Sequence, residues 1–370
     1  MTMSIPCPAY VLNEEALLRN LKILREVQES SGCHILISLK AFALWPLFPT
    51  IKKYLHGAAA SSLNEARLIY EEMGCPAHTY SPAFSAQEIK DVARYSSHII
   101  FNSLAQFRAF RGQLSNRSLG IRVNPMVSVV ETDQYNPAMK GGRLGMTKTQ
   151  FGDKLPGGVD GLHFHALCES SASDFERVLS GFEEQFSAFL PQLKWVNFGG
   201  GHLITRKGYD VARFISIVKK FKKKYPLEVY IEPGSAIAWE TGDLIAKVLD
   251  IVENNGIRTA ILNTSFTAHM PDTLEMPYRP EVAESSTGGT FRYHLGGVSC
   301  LSGDFLPDYA FDKPLQTGDI ITFKDMMHYT TVKTTMFNGV RHPDIYIKKI
   351  DGAVLPLKEF SYLDYKNRMC

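Results

Sequence analysis

The chain has 370 residues, 45% hydrophobic and 21% charged, with 40 basic against 38 acidic side chains and a formal net charge of +2. Such a chain is enzyme-sized, with room for one large domain plus a smaller one, and its near-balanced charge offers no field to attract nucleic acid. The six cysteines (Cys7, Cys33, Cys75, Cys168, Cys300, Cys370) form no CxxC pair, and MTMSIPCPAYVLNEEALLRN lacks a basic segment followed by a long apolar one, so we expect reduced thiols, no membrane span and a cytoplasmic protein.

The opening PAYVLN is strand-like and precedes a helical pattern. Short apolar runs then alternate with helical segments: HILISL (34–39), GAAAS (57–61), HTYSP (78–82), HIIFN (98–102), LGIRVN (119–124), DGLHFH (160–165), KWVNFG (194–199) and EVYIEP (228–233). Between the second and third lies SLNEARLIYEEMG, with Leu63, Ala66, Ile69, Tyr70 and Met73 on one helical face and Gly74 at its end. The basic run Lys219 to Lys224 reads as the wet face of a helix. Eight strands with intervening helices predict an α/β fold, a (β/α)8 barrel, ahead of the alternative of an open doubly wound sheet. Beyond Ala238 the texture changes to AKVLDIVENNGIRTAILNTS, GTFRYHLGGVSC, LQTGDIITFKDM and YTTVKTTMFNGV, rich in Thr, Val and Ile and broken by turn residues. These predict a C-terminal antiparallel β domain, which PAYVLN joins from the other end. The expected domains are a barrel over 13–238 and a β domain made of 1–12 with 239–370.

Barrel chemistry sits on the loops after the C-terminal ends of the strands, which turns the strand list into a site list. Lys40 follows the first run; taken alone, a lysine there reads as one that snorkels to the rim. His165 and then Cys168 follow the sixth. After the seventh, Gly199, Gly200 and Gly201 offer amides that no Cβ shields from an anion. Glu232 ends the eighth, where a buried carboxylate needs a cationic partner or a proton. His163 and His165 share a strand face as HxH, but no third ligand with sensible spacing accompanies them, and no metal is expected. One ligand satisfies all four peculiarities, a phosphorylated pyridine aldehyde: Lys40 carries it as a Schiff base, the glycine run holds its phosphate, His165 stacks on its ring and Glu232 pairs with the ring nitrogen.

HFHALCE (163–169), SFTAHMPDTLEMPYRP (265–280), VSCLSGDFLP (298–307) and YTTVKTTMFNG (329–339) carry a resemblance over essentially the whole chain. It resembles the fold-type III pyridoxal-phosphate decarboxylases, a family with alanine racemase-like barrels that includes ornithine and diaminopimelate decarboxylases. The likeness is strongest to the branch acting on the carboxylated triamines carboxynorspermidine and carboxyspermidine, in polyamine biosynthesis. The resemblance implies pyridoxal 5'-phosphate as cofactor, Cys300 as a catalytic cysteine supplied to the neighbouring subunit of a homodimer with shared sites, and Tyr329 as a phosphate contact. Many relatives have a serine-ended loop after the stacking histidine, where this chain has Ala166, Leu167 and Cys168, and an arginine where it has Ser235. Backbone groups of Gly234, Ser235 and Ala236 then line the pocket instead.

A carboxylate beside the ring nitrogen keeps it protonated and favours decarboxylation over racemisation, with Cys300 or the freed Lys40 returning a proton to Cα. A carboxylated polyamine is cationic away from its reacting end, which makes Asp272, Glu275 and Asp304 candidate partners and Arg279 a candidate for a substrate carboxylate. The competing readings are an ornithine- or diaminopimelate-type decarboxylase, a racemase, a colourless metal-dependent barrel hydrolase using His163 and His165, and a non-catalytic carrier of the cofactor.

Overall fold

The computed structural model describes residues 5–130, 132, 135–276 and 278–370, so Met1 to Ser4 of the expected β domain and Pro277 of the TAHMPDTLEMPYRP segment lie outside the described residues. The chain divides into two units, Asn20–Ile237 and Met1–Arg19 with Ala238–Cys370. It opens with strand β1 (Ala9–Asn13) and helix α1 (Glu14–Ser31).

The first unit is a closed barrel of eight parallel strands: β2 (His34–Ser38), β3 (Gly57–Ala60), β4 (Ala77–Tyr80), β5 (Ser96–Phe101), β6 (Ser118–Arg122), β7 (Gly161–His163), β8 (Trp195–Asn197) and β9 (Glu228–Ile231). Closure comes from β9 pairing with β2, His34 opposite Tyr230 and Ile35 opposite Ile231. Every run predicted as a barrel strand is one. The interior is packed by Leu36, Ala59, Ile100, Trp195 and Tyr230. Trp195 fits because β6 and β7 present glycines to it: a Cβ on Gly120 would lie 2.3 Å from the indole, and one on Gly161 2.1 Å. Its Nε1 then donates to the Ser118 hydroxyl at 2.8 Å.

The helices follow local rules. α2 (Leu63–Leu68) is capped by Ser62, whose hydroxyl accepts from the Glu65 amide, and it runs through a π turn to Gly74 in the left-handed region at φ 64°. α3 (Ala172–Phe186) starts with a reciprocal capping box between Ser171 and Asp174. α4 (Val211–Lys224) buries Phe214, Ile217, Val218 and Phe221 and ends on Lys222, Lys223 and Lys224, cations placed where the helix dipole favours them. The basic run is therefore a solvated helix end.

The second unit is a sheet in the order β13 (Phe305–Phe311), β12 (Phe291–Gly296), β11 (Ile257–Leu262), β10 (Gly242–Asn254), β1, β15 (Asp344–Lys348), β16 (Val354–Lys358), with β14 (Ile320–Phe323) also on β10. β1 does join it, between β10 and β15. Long β10 serves two neighbourhoods, pairing β1 and β14 through its first half and β11 through its second. The β10–β11 hairpin turns on Asn255 and Gly256, at φ 51° and 78°, the positive-φ pair that a tight hairpin requires. The sheet is mainly antiparallel, but β1–β15 and β11–β12 are parallel. The stretch YTTVKTTMFNGV is not a strand, contrary to expectation. It forms a short helix, Thr330–Lys333, and a tight turn at Phe337–Gly339, because Tyr329 and Asn338 take positive φ (49° and 57°) and break the extended path. Among the described residues, no helix is long and apolar enough to cross a membrane.

Candidate active site

The barrel strands deliver their charged ends to one rim. Lys40 lies two residues beyond β2, Arg122 ends β6, His165 lies two beyond β7, the glycine run starts two beyond β8, and Glu232 follows β9 directly. Burial pushes the Lys40 ammonium below the usual lysine range, and the Arg122 guanidinium pushes it further, while Glu232, Cys168 and Glu65 pull the other way. Glu232 is displaced upward, by burial, against the opposing pull of Lys40, the Asn197 hydrogen bond and Arg122. Both groups are therefore moved toward neutrality by the same dry environment.

The turn after β8 is built around close approaches. A Cβ on Gly199 would lie 2.5 Å from the Phe164 carbonyl oxygen, one on Gly200 2.5 Å from the Glu232 carbonyl oxygen and 3.0 Å from His165 Cε1, and one on Gly201 2.3 Å from the Leu167 backbone. Only glycine fits at any of the three. The amides of the run are partly committed: Gly199 N–H donates to Asn197 Oδ1 and Gly200 N–H to His165 Nδ1, each at 2.8 Å. Gly201 N–H has no hydrogen-bond acceptor among the described residues. Since His165 Nδ1 accepts, the proton of the ring sits on Nε2, and burial together with Lys40 and Arg122 holds this imidazole well below its ordinary range, neutral and flat. Asn197, fully buried at the end of β8, also donates from Nδ2 to Glu232 Oε1 at 2.7 Å. Glu232 Oε2 has no hydrogen-bond partner among the described residues.

Three of these rim residues were missed at the level of sequence. Arg122 lies 4.7 Å over the Tyr80 ring and donates to the His165 carbonyl at 3.3 Å. Tyr80 stacks on His163 with ring centres 5.6 Å apart and planes 11° apart, and anchors its hydroxyl on Asn102 Oδ1 at 2.8 Å. Asn197 is the third. Arg122 carried the same signal as Lys40, a lone cation closing an apolar strand in LGIRVN, so the reasoning applied to one lysine would have found it. His163, read as half of an HxH pair, stands 3.8 Å from Glu232 Oε1, and its Nδ1 has no hydrogen bond among the described residues. No group of three or more His, Cys, Asp or Glu side chains converges as a metal site among the described residues.

After Glu232, Gly234 accepts from the Ile237 amide and Ala236 O accepts the Thr205 hydroxyl at 2.7 Å, while the Ser235 hydroxyl donates to Glu169 Oε1 at 3.2 Å. The amides of Ser235 and Ala236 open the short helix Ser235–Ala238, where no acceptor exists within the helix.

The remaining predicted residues belong to the sheet unit. Cys300 is exposed, with its amide held by Asn338 Oδ1 at 2.7 Å. The neighbouring turn is organised by Asp304, only 4% exposed, whose Oδ1 accepts from Thr267 N–H at 3.0 Å and whose Oδ2 accepts the Ser299 hydroxyl at 2.6 Å and amide at 3.2 Å. Asp304 is thus a buried scaffold carboxylate rather than a loop charge. Asp272 and Glu275 share one cation, Lys333. Arg279 lies 3.9 Å over the Tyr309 ring and donates to the Asp308 carbonyl. Tyr329 sits at the start of the Thr330–Lys333 helix, its carbonyl accepting the Val332 and Lys333 amides.

The barrel rim fits pyridoxal phosphate on its own chemistry. It combines a buried amine shifted toward its nucleophilic form, a buried carboxylate with one oxygen uncommitted, a neutral imidazole and a turn only glycine can make. The family model described as "Pyridoxal-dependent decarboxylase, C-terminal sheet domain" matches residues 9–327, and the chain belongs to the pyridoxal-dependent decarboxylases, carboxy-lyases that use pyridoxal phosphate.

Within that family the likeness is specific. The chain is 48% identical over 372 residues to carboxyaminopropylagmatine decarboxylase of Synechocystis sp., covering 99% of this chain and 96% of that one. It is 45% identical over 377 residues to carboxynorspermidine/carboxyspermidine decarboxylase of Campylobacter jejuni, covering 98% of each. The crystal structure of C. jejuni carboxynorspermidine decarboxylase complexed with norspermidine superposes with a TM-score of 0.91 at 44% identity, over 98% of this chain and 100% of that one. Diaminopimelate decarboxylase from Helicobacter pylori, at 15% identity and a TM-score of 0.83, shares the fold.

Proposed function

We propose that the chain decarboxylates a carboxylated polyamine, carboxynorspermidine or carboxyspermidine, yielding norspermidine or spermidine for polyamine biosynthesis. The observation that carries this reading is full-length similarity at 45% identity to a relative named for those substrates, joined to a barrel rim equipped for pyridoxal phosphate. A second reading, carboxyaminopropylagmatine, is favoured by the 48% relative; its distal group is a guanidinium rather than an ammonium.

When bound, pyridoxal phosphate supplies the sink for the electron pair left as the Cα–carboxylate bond breaks. In our reading the barrel unit binds it. Lys40 would hold it through its side-chain amine, a role suited to an amine whose proton is already loosened. His165 would cover one face of the ring as an uncharged plate. Glu232 would offer Oε2 to the ring nitrogen. The phosphate is assigned to the backbone of Gly201, Gly234, Ser235 and Ala236 and to Tyr329, with Gly199 and Gly200 shaping the turn.

The sheet unit is assigned the substrate's distal end and the dimer contacts. Asp272 and Glu275 already hold a primary ammonium, that of Lys333, so the pair has the charge and spacing to take one from a ligand. Asp304 acts through the shape of the Cys300 turn, Ala236 borders the substrate, and Arg279 accepts a carboxylate or stays on Tyr309. Cys300 is placed in the neighbouring subunit's site as the proton donor to Cα; it is exposed, as are Val298, Leu301 and Phe305 around it, a surface suited to a second copy. Six free cysteines suit the reducing cytoplasm, where we place the protein.

Carbon dioxide release from carboxynorspermidine, carboxyspermidine, carboxyaminopropylagmatine, ornithine and diaminopimelate tests the substrate; preference for either amino acid overturns the reading, and preference for the third separates the two polyamine readings. Mixing inactive Lys40→Ala with inactive Cys300→Ser tests the shared site. Restored activity is expected, up to about a quarter of wild type from random subunit exchange. No restoration from dimers shown to exchange subunits overturns sharing.

A further inference from the structure

Asn197 stands between two elements of the site, and its amide cannot be turned around. On one side Glu232 Oε1, an acceptor, lies 2.7 Å from Nδ2; on the other the Gly199 N–H, a donor, lies 2.8 Å from Oδ1. Flipping the amide would face oxygen with carboxylate and N–H with N–H. The residue is fully buried, so no water competes for either bond. The Gly199 turn passes the constraint on, because the next amide, Gly200 N–H, fixes His165 Nδ1. One side chain therefore sets both the carboxylate assigned to the ring nitrogen and the turn that orients the stacking imidazole.

We propose that Asn197 is a positioning residue that keeps Glu232 ionised and aimed, so that its free oxygen meets the cofactor's ring nitrogen as an acceptor at every working pH. The proposal rests on the reading of Glu232 as the ring-nitrogen partner. Its physical content is the donor: burial alone pushes the Glu232 carboxyl toward its protonated form, and a protonated acid in this place would not hold a proton on the ring. The Asn197 N–H bond opposes burial, as do Lys40 and Arg122. Unlike Lys40, which must change partners during turnover, Asn197 has no other task to perform.

The decisive variant is Asn197→Asp, nearly isosteric but unable to donate when ionised. Two carboxylates at hydrogen-bond distance share a proton at low pH, reproducing the donor, and repel once it is lost. With the enzyme loaded with pyridoxal phosphate, the visible absorption band is followed from about pH 6 to 9, alongside kcat, KM and the dissociation constant of pyridoxal phosphate from the apo-protein. For Asn197→Asp we expect a new titration of the band within this range, kcat down about tenfold or more at the alkaline end and recovering at the acid end, KM within about threefold, and weaker cofactor binding that recovers with the same pH dependence. Phe198→Leu, which loosens the same turn without touching Glu232, is expected to add no titration. Should Asn197→Asp fail to fold, Asn197→Ala removes the donor without adding charge and should shift the band's pH dependence in the same sense. A band and cofactor affinity that do not respond to pH in these variants, or that respond equally in Phe198→Leu, overturn the proposal. Glu232→Gln separates the two levels: if it leaves the band unchanged, the reading of Glu232 itself has failed; if it alters the band while Asn197→Asp does not, only the role of Asn197 has.

Discussion

Acid should destabilise this protein through its buried histidines, and His269 gives the cleanest measurement. Its Nδ1 accepts the Thr264 hydroxyl at 2.9 Å and the Ser265 amide at 3.2 Å, while Nε2 lacks a partner among the described residues, and burial with the nearby His342 lowers it to about 3. His202, wedged edge-on between Phe175 and Phe214, is likewise held at about 3 by burial. The unfolded chain titrates at the ordinary 6.5. Stability from these two groups is therefore fully present above pH 6.5 and drains as pH falls toward 3, because only the unfolded state takes up the proton in that window. From pH 7.5 to 5 each group costs about 2 kcal/mol, so the pair removes about 4 kcal/mol from a net stability of roughly 5 to 15 kcal/mol. His98 and His342, lowered to about 4 by burial, act in the same direction. The test compares urea unfolding of wild type and His269→Asn across this range with cofactor bound to both, so that its own pH dependence cancels. Asn retains the Nδ1-side acceptor but cannot titrate; its cavity penalty is constant, while its slope should be shallower by about 1.4 kcal/mol per pH unit between pH 6 and 4. Parallel slopes for the two proteins would refute the reasoning.

Gly161→Ala should lower stability by about 1 to 3 kcal/mol in thermal or urea unfolding, because its Cβ lands 2.1 Å from the Trp195 indole; a change under about 0.5 kcal/mol would mean the barrel interior has slack. Asp304→Asn replaces the oxygen that accepts from the Ser299 hydroxyl and amide by an amide NH2 that can only donate, and should cost about 2 to 4 kcal/mol, with the loss appearing in unfolding rather than only in KM. Asp272→Ala should raise KM for carboxynorspermidine about tenfold with a smaller effect on kcat, and an unchanged KM removes Asp272 from the substrate site.

The barrel was legible because its signal is local. Each strand is a short run bounded by turn residues, and Lys40, His165, the glycine run and Glu232 each fall just beyond the C-terminal end of a strand, which needs only counting. Asn197 was not legible, since its bond to Glu232 spans 35 residues and exists only through the register of β8 against β9. The 329–339 stretch misled for a related reason. Its Thr and Val residues favour extended backbone, but Asn338 is tied to Cys300 N–H, 38 residues away, and takes a positive φ that propensity does not foresee. Asp304 read as a candidate partner for the substrate because a carboxylate in SGDF carries no sequence mark of the three donors that surround it.

The rim faces two demands that burial sets against each other. In the roles proposed for them, Lys40 needs to shed its proton to act as a nucleophile, and drying the site helps; Glu232 needs to stay ionised, and drying the site hinders. A fixed positive charge satisfies both, since it repels the proton of the ammonium and attracts the charge of the carboxylate. Arg122 acts in that sense on each, lowering Lys40 and lowering Glu232. The choice of arginine follows from this. A second lysine in the same dry place would itself be pushed toward neutrality and cease to help, whereas a guanidinium, though moved down by burial, stays charged. Its face is spread over Tyr80 and its Nη2 donates to the His165 carbonyl, so the cation is held by contacts that do not consume the Glu232 carboxylate. On the proposal made for it, Asn197 does for direction what Arg122 does for charge, so that Glu232 stays an acceptor at the bottom of a site whose dryness moves Lys40 toward its neutral amine.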